Sequence, residues 1–330
     1  MAKDNNFKDF IEDLVYTIKI KKNSADFITP SNIPMEIRDN INKGQAGGFY
    51  DNITCTLSEG FTGIKNLIVF KDVETISSGA YANLTSLTNA ILFDNIKTIG
   101  GKAFENCVKL KSVKFPSNLA SIGSNCFSGC SALEIQSVDF PNTLRNVGRN
   151  AFWGTKWYNS QPNGAVYTGP CLYEYKGSVS EETLTLKDDT FVIMEYAIYN
   201  KSGIKELVGN GKECTVRGWA ISMVPTLTKI KLDYDKVYLS QYSINSCANL
   251  EEVYIKNLYM VSGNPSIIFS GTPNIKRLYI LNDEMPPAGN ITNQSLANIP
   301  SSCEIYVRSN LIEKWKSSFP SLNFIEYTGD

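Results

Sequence analysis

Apolar residues recur along the middle of this chain at an interval longer than one helical turn or one strand pleat. Ile76, Ile99, Ile122 and Val147 share one position. Four residues on stand Ala80, Ala103, Cys126 and Ala151, each followed by an aromatic, Tyr81, Phe104, Phe127 and Phe152. Leu84, Cys107, Cys130 and Thr155 come next. Ile64, Leu87, Leu110 and Leu133 then follow one another at intervals of 23 residues without exception. The end of each unit alternates, with Val113 and Phe115 set between Ser112 and Lys114, the period of two of a half-buried strand. The register returns further along with weaker residues. Ile193, Val216 and Leu239 take the first position, and Ala197-Ile198, Ala220-Ile221 and Ser243-Ile244 take the small–large pair. Ile204, Leu227, Leu250 and Ile275 take the leucine position at intervals of 23, 23 and 25, and Cys247 stands where Cys107 and Cys130 stood.

A fixed period of this length with one short strand per unit predicts a leucine-rich-repeat solenoid. One unit cannot bury its apolar side alone, so each Ile, Leu and Phe must stack on its copy in the next coil. The expected fold over residues 50–300 is β-rich. Each coil of about 23 residues carries a parallel strand plus a short helix or turn, and neighbouring coils lie roughly 4.8 Å apart. Cys107, Cys130 and Cys247 read as small buried apolar residues of that ladder. All eight cysteines are expected to be reduced.

The two ends leave the repeat. Phe7, Phe10, Ile11, Leu14, Val15 and Ile18 are spaced as the apolar stripe of an amphipathic helix, and Ile33, Ile37 and Ile41 suggest a shorter one. A stripe this wide on so short a helix must be covered, so Phe7, Phe10, Ile11, Leu14 and Ile18 are the candidate assembly interface. At the other end, Cys303–Val307 reads as a strand. The segment after it reads as a helix with Ser309 as N-cap and Ile312, Trp315 and Phe319 as its buried face. The turn signals Pro162-Asn163-Gly164 and Thr168-Gly169-Pro170 flank two short apolar runs and predict a hairpin. The chain then divides into a helical attachment or capping module (1–48), repeats (49–155), a hairpin insertion (156–190), degenerate repeats (191–281) and a strand–helix cap (282–330).

Chemistry is sparse. There is no histidine, which removes the commonest general base and most transition-metal sites. Cys126 and Cys130 have no second pair with which to hold zinc. The acidic pairs Glu181-Glu182, Asp188-Asp189 and Asp233/Asp235 sit on single loops or strands and make poor catalytic dyads. Asp233-x-Asp235 lacks the rest of a calcium loop, and Gly209–Glu213 lacks phosphate-loop spacing. Asn290-Ile291-Thr292 is a glycosylation sequon. Net charge is −1 and no basic stripe occurs, so no nucleic acid partner is expected. No apolar run is long enough for membrane insertion, and Met1–Phe10 shows no basic-then-apolar leader, so the chain reads as cytosolically made, with a removed leader left open. We expect no enzyme, cofactor or metal. The candidate binding surface is the outward sheet face, where adjacent rungs present Lys229, Lys231, Glu252, Tyr254, Arg277 and Tyr279. Tyrosine and arginine are the residues enriched at binding hot spots.

The stretch IGGKAFENCVKLKSVKFPSNLASIGSNCFSGCSAL resembles the BspA-like leucine-rich repeats, most clearly over residues 60–155. Residues 151–177 are similar to the point at which such arrays are interrupted by a hairpin. The resemblance implies a surface-displayed binding or adhesion protein without catalytic activity. Residues 5–37, NNFKDFIEDLVYTIKIKKNSADFITPSNIPMEI, resemble short N-terminal modules of tailed-bacteriophage virion proteins. Together the two imply a virion appendage, head or tail fibre-like. It would join other virion or surface proteins through its N-terminal helix, form homo-oligomers, and bind a host-surface glycan or protein. The alternative is a bacterial secreted or cell-surface leucine-rich-repeat adhesin.

Overall fold

A short strand that recurs at a fixed interval can satisfy its backbone on its own copies, and this is what the chain does. The computed structural model describes residues 65–69, 73–136, 139–261 and 267–329. They belong to two compact units, one ending at Ser160 and the other beginning at Gln161. The stripe Phe7, Phe10, Ile11, Leu14 and Ile18, the second helix around Ile37, and Cys55 and Ile64 all lie outside the described residues.

In the first unit, β1 (Asn66–Val69), β3 (Asn89–Leu92) and β5 (Ser112–Lys114) pair in parallel, with Ala90 opposite Val113. A second parallel sheet joins β2 (Thr75–Ile76), β4 (Thr98–Ile99), β6 (Ser121–Ile122) and β7 (Asn146–Val147). Its register sets Ile76 beside Ile99, Ile99 beside Ile122, and Ile122 beside Val147. Between the sheets lies the core. Leu87, Leu110 and Leu133 are wholly buried. Phe104, Phe127 and Phe152 stack with centroids 5.2 and 5.5 Å apart. The Cys107 and Cys130 thiols donate to the carbonyls of Tyr81 and Phe104 in the preceding coil, at 3.1 and 3.0 Å. A short helix, α1 (Lys156–Ser160), sets Trp157 edge-on against Phe140 and Phe152.

After each two-residue strand the coil continues in consecutive turns, not a helix. Two positions per coil require positive φ, and Lys102 with Asn106, Asn125 with Gly129, and Asn150 with Gly154 fill them. Residues in that conformation interrupt a helix, and Gly and Asn tolerate it best. The glycine that follows Ile122 or Val147 answers a different need. A Cβ on Gly123 would stand 2.3 Å from the Gly101 nitrogen, and one on Gly148 2.3 Å from the Ser124 nitrogen. Successive coils therefore meet there backbone to backbone.

The second unit opens with a hairpin, β8 (Gly164–Thr168) antiparallel to β9 (Cys171–Lys176). The remaining strands of its main sheet pair in parallel: β10 (Thr183–Thr185), β11 (Val192–Ile193), β13 (Glu206–Val216), β15 (Lys229–Leu239), β17 (Glu252–Ile255), β18 (Leu258–Met260), β20 (Arg277–Ile280), β21 (Glu304–Arg308) and β22 (Asn323–Tyr327). A second sheet joins β12 (Ile198–Tyr199), β14 (Ile221–Ser222), β16 (Ile244–Asn245) and β19 (Phe269–Ser270). Strands β13 and β15 run on for 11 residues each. Gly209 makes room for the buried Tyr234 there, since a Cβ on it would stand 2.8 Å from the Tyr234 hydroxyl.

Two details depart from the sequence reading. Ser309 opens a 3-10 turn (Ser309–Leu311), and α2 (Ile312–Ser318) follows with Leu311 at its N-cap and no side-chain cap. Trp315 and Phe319 are buried as expected, but against Phe324 of β22, a strand that extends the sheet past β21. The sequon asparagine is occupied. The Asn290 amide accepts from the Met260 N–H at 2.9 Å and donates to the Met260 carbonyl at 3.1 Å.

The seven described cysteines are buried and form no disulfide. Burial pushes the Cys214 and Cys303 thiols up to about 12 and Cys247 to about 11, so these three are thiols, not thiolates, at neutral pH. Leu110 occupies the centre of the first ladder with no exposed surface. Leu110→Ala should cost about 2–5 kcal/mol, as truncation of a buried leucine does. Denaturant melts check this, and a loss below about 1 kcal/mol would remove Leu110 from the core.

Candidate functional site

Parallel pairing in register has a consequence for side chains that point outward. Each stands beside its counterpart in the next coil, so outward residues form columns. In the second unit one column reads Glu206, Lys229, Glu252, Arg277 and Glu304. The next column, two residues along each strand, reads Val208, Lys231, Tyr254, Tyr279 and Tyr306. The inward residues between them, Leu207, Ile230, Val253, Leu278 and Ile305, are buried.

Signs alternate along the first column, as they must where like charges directly opposite would repel. Glu252 is held from both sides. Lys229 Nζ lies 3.1 Å from its Oε1, and Arg277 Nη2 and Nε lie 2.7 and 2.9 Å from its Oε2. Burial alone would raise its pKa, but the hydrogen bonds from Arg277 and Lys229 outweigh it and hold the carboxyl below the usual value. The column is therefore largely neutralised from within. Beside it, Lys256 Nζ lies 3.0 Å from Asp235 Oδ1 and 4.0 Å from Asp233 Oδ1, which occupies the two acids considered for calcium. Among the described residues no three His, Cys, Asp or Glu side chains gather to hold a metal ion.

The second column is aromatic. Tyr279 and Tyr306 stack with centroids 4.8 Å apart and planes 14° from parallel. Tyr254 lies 6.0 Å from Tyr279 on the other side, and Tyr327 of β22 meets Tyr279 edge-on at 6.0 Å. Lys231 Nζ sits 5.4 Å from the Tyr254 ring centre, a cation–π contact. Burial raises the pKa of Tyr254 and Tyr279, and the hydrogen bond to Glu304 (2.8 Å) raises that of Tyr306. All three phenols are thus protonated at neutral pH; the Tyr306 proton is given to Glu304, and Tyr254 and Tyr279 can donate.

All six residues singled out from the sequence stand on this face, in three adjacent rungs. Lys229 and Arg277 both pair with Glu252, whereas Tyr254 and Tyr279 take no part in the ion pairs, and Lys231 is laid against Tyr254. Glu304, Tyr306 and Tyr327 extend the face and were missed. The first two were readable, because Ile305 and Val307 alternate with Glu304 and Tyr306 as in the other strands. Tyr327 follows a helix and carries no such signal. The N-terminal candidates Phe7, Phe10, Ile11, Leu14 and Ile18 fall outside the described residues.

A carboxylate with a depressed pKa contributes stability that is present above its unfolded pKa and is lost as pH falls through the folded value. Glu252→Gln should therefore lower stability at pH 7, and the difference from the parent chain should vanish in acid below the depressed pKa. Urea melts at a series of pH values from 7 downward measure this, and a difference that does not shrink as the carboxyl becomes protonated would show that the ion pairs contribute nothing.

No curated protein matches the chain. Among solved structures, the pneumococcal vaccine antigen PcpA is similar over 82% of this chain and 91% of its own, at 15% identity and a TM-score of 0.37. A leucine-rich cell surface protein from Faecalibacterium prausnitzii is similar over 81% and 89%, at 15% identity and a TM-score of 0.29. A leucine-rich repeat protein from Bacteroides ovatus is similar over 80% and 92%, at 14% identity and a TM-score of 0.29. The profile of the BspA type leucine rich repeat region matches in six copies over residues 58–162 and 172–285. That match spans most of the chain, and the protein belongs to the BspA-type leucine-rich repeat family.

Proposed function

We propose that this protein is a non-enzymatic adhesin displayed at a bacterial cell surface, and that it grips a protein partner with the tyrosine column of its second unit. The observation that carries this reading is the run of Tyr254, Tyr279 and Tyr306 on successive rungs, the last two stacked and each half-buried, beside a column of charges that largely neutralise one another. Stacked rings lose little side-chain entropy when a partner arrives, and tyrosine provides apolar area and a hydroxyl donor together. Glu252, Asp233 and Asp235 are engaged in ion pairs, and the chain has no histidine to act as a base. Family membership supports a display scaffold. Attachment or self-association through Phe7, Phe10, Ile11, Leu14 and Ile18 is part of the same reading. The virion-appendage reading draws on the resemblance of residues 5–37 alone.

The test is binding of fluorescently labelled full-length protein to host epithelial cells, measured by flow cytometry. Tyr254→Ser/Tyr279→Ser/Tyr306→Ser should reduce binding by about tenfold or more, because each lost hot-spot ring removes on the order of 1–2 kcal/mol. Protease treatment of the cells should abolish it. Undiminished binding by a folded triple variant would move the site off this face.

A further inference from the structure

A second aromatic array stands elsewhere on the second unit. After each of Ile193, Val216 and Leu239 the chain turns into the β12, β14 and β16 sheet, and the third residue of that turn is Tyr196, Trp219 or Tyr242. The turns are linked coil to coil by their own backbones. Tyr196 N–H donates to the Trp219 carbonyl (3.3 Å), Trp219 N–H to that of Tyr242 (2.9 Å), and Tyr242 N–H to that of Ile267 (2.7 Å). The position requires the left-handed conformation, with φ of 58°, 51° and 52° at the three aromatics. In the first unit the same place in the coil is filled by Gly79, Lys102, Asn125 and Asn150, with φ of 70°, 58°, 56° and 57°.

That comparison separates what the turn needs from what the second unit has. Glycine and asparagine suit positive φ, and bulky side chains suit it least. Glycine or asparagine, present in three of the four coils of the first unit, would serve the turn better. The core does not explain the choice either. Trp219 is 38% exposed, Tyr196 and Tyr242 are half-buried, and Tyr199 (37%) and Met223 (44%, φ 56°) are exposed beside them. The rings form one contiguous surface. Tyr196 and Trp219 lie 6.2 Å apart with planes 8° from parallel, Trp219 and Tyr242 lie 5.5 Å apart, and Tyr199 meets Tyr196 edge-on at 5.4 Å. A conformation that bulky residues seldom take thus recurs under these rings at three successive coils, and such positions cluster at functional sites.

We propose that this ridge binds a linear, uncharged polysaccharide whose sugar rings pack along Tyr196, Trp219 and Tyr242. Three features point to that class. The ridge is periodic, one ring per coil, and so matches a ligand that itself repeats along its length. None of the five ridge side chains carries a charge at neutral pH, so nothing on the ridge itself selects an ionic ligand. Phenol hydroxyls and an indole N–H border apolar ring surface, which suits a pyranose with its C–H face and hydroxyl edge. The site is independent of the tyrosine column, since it shares no residue with it.

Isothermal titration of the full-length protein with cellohexaose, laminarihexaose, xylohexaose and mannohexaose, and with the matching disaccharides, tests the proposal. At least one hexasaccharide should bind, about tenfold or more tighter than its disaccharide, because several rings are engaged at once. Tyr196→Asn/Trp219→Asn/Tyr242→Asn should abolish that binding without lowering the melting temperature, because asparagine suits the turn. Trp219→Asn alone should weaken binding and likewise leave the melting temperature unlowered, which keeps the test decisive if the triple variant does not fold. Tyr279→Ser should leave sugar binding unchanged. The proposal is overturned if no hexasaccharide binds, if length brings no gain, if the Trp219 variant binds as the parent does, or if it loses stability along with binding.

Discussion

Within each unit the described features depend on one constraint: successive coils hydrogen-bond in register, so that a strand residue lies beside its own copy. Ile99 meets Ile76 and Ile122, and Phe127 meets Phe104 and Phe152. Inward, this turns a weak pattern into a continuous core, because a residue that packs well once packs well in every coil. At the isoleucine–glycine turns of the first unit the coils close to backbone contact, and only hydrogen fits between them. Cys107 and Cys130 follow the same rule, as small buried groups whose thiols reach a carbonyl of the preceding coil.

The same constraint governs the surface. A column of like residues facing outward would set identical charges roughly 4.8 Å apart, so the charged column of the second unit alternates in sign from Glu206 to Glu304. Uncharged aromatics escape that restriction and gain by repetition, since rings at coil spacing stack. The column Tyr254–Tyr279–Tyr306 and the ridge Tyr196–Trp219–Tyr242 are two uses of one geometric opportunity, on strands in the first case and on turns in the second.

How much of this was legible in the sequence varies with position in the coil. Leu87, Leu110 and Leu133 were plain, because buried residues at a fixed interval leave a pattern. The outward strand residues followed from alternation, including Glu304 and Tyr306 had the alternation been carried one strand further. The two-residue strands such as Thr98–Ile99 were not legible, since two residues show no period. Nor was β22, which follows a helix and breaks the register. The ridge is the instructive case. Tyr196, Trp219 and Tyr242 sit in register with Gly79, Lys102, Asn125 and Asn150, but the contrast means something only once the backbone shows that the position requires positive φ. The hydrogen bonds of Asn282 and Asn290 to Leu258 and Met260 were equally invisible, because they depend on which loop lies beside which.

The central claim, that coils are held in direct backbone register, is tested most directly at Gly123. An ordinary Gly→Ala change at a permissive φ stabilises a protein by about 0.4–1 kcal/mol through the unfolded chain. Here the added Cβ would stand 2.3 Å from the Gly101 nitrogen, where backbone cannot move aside without parting the ladder. Urea denaturation of Gly123→Ala should therefore show the opposite sign, a loss of about 1–3 kcal/mol as for an overpacked core. Stability equal to or above that of the parent chain would contradict the account, because it would mean that the coils do not meet there.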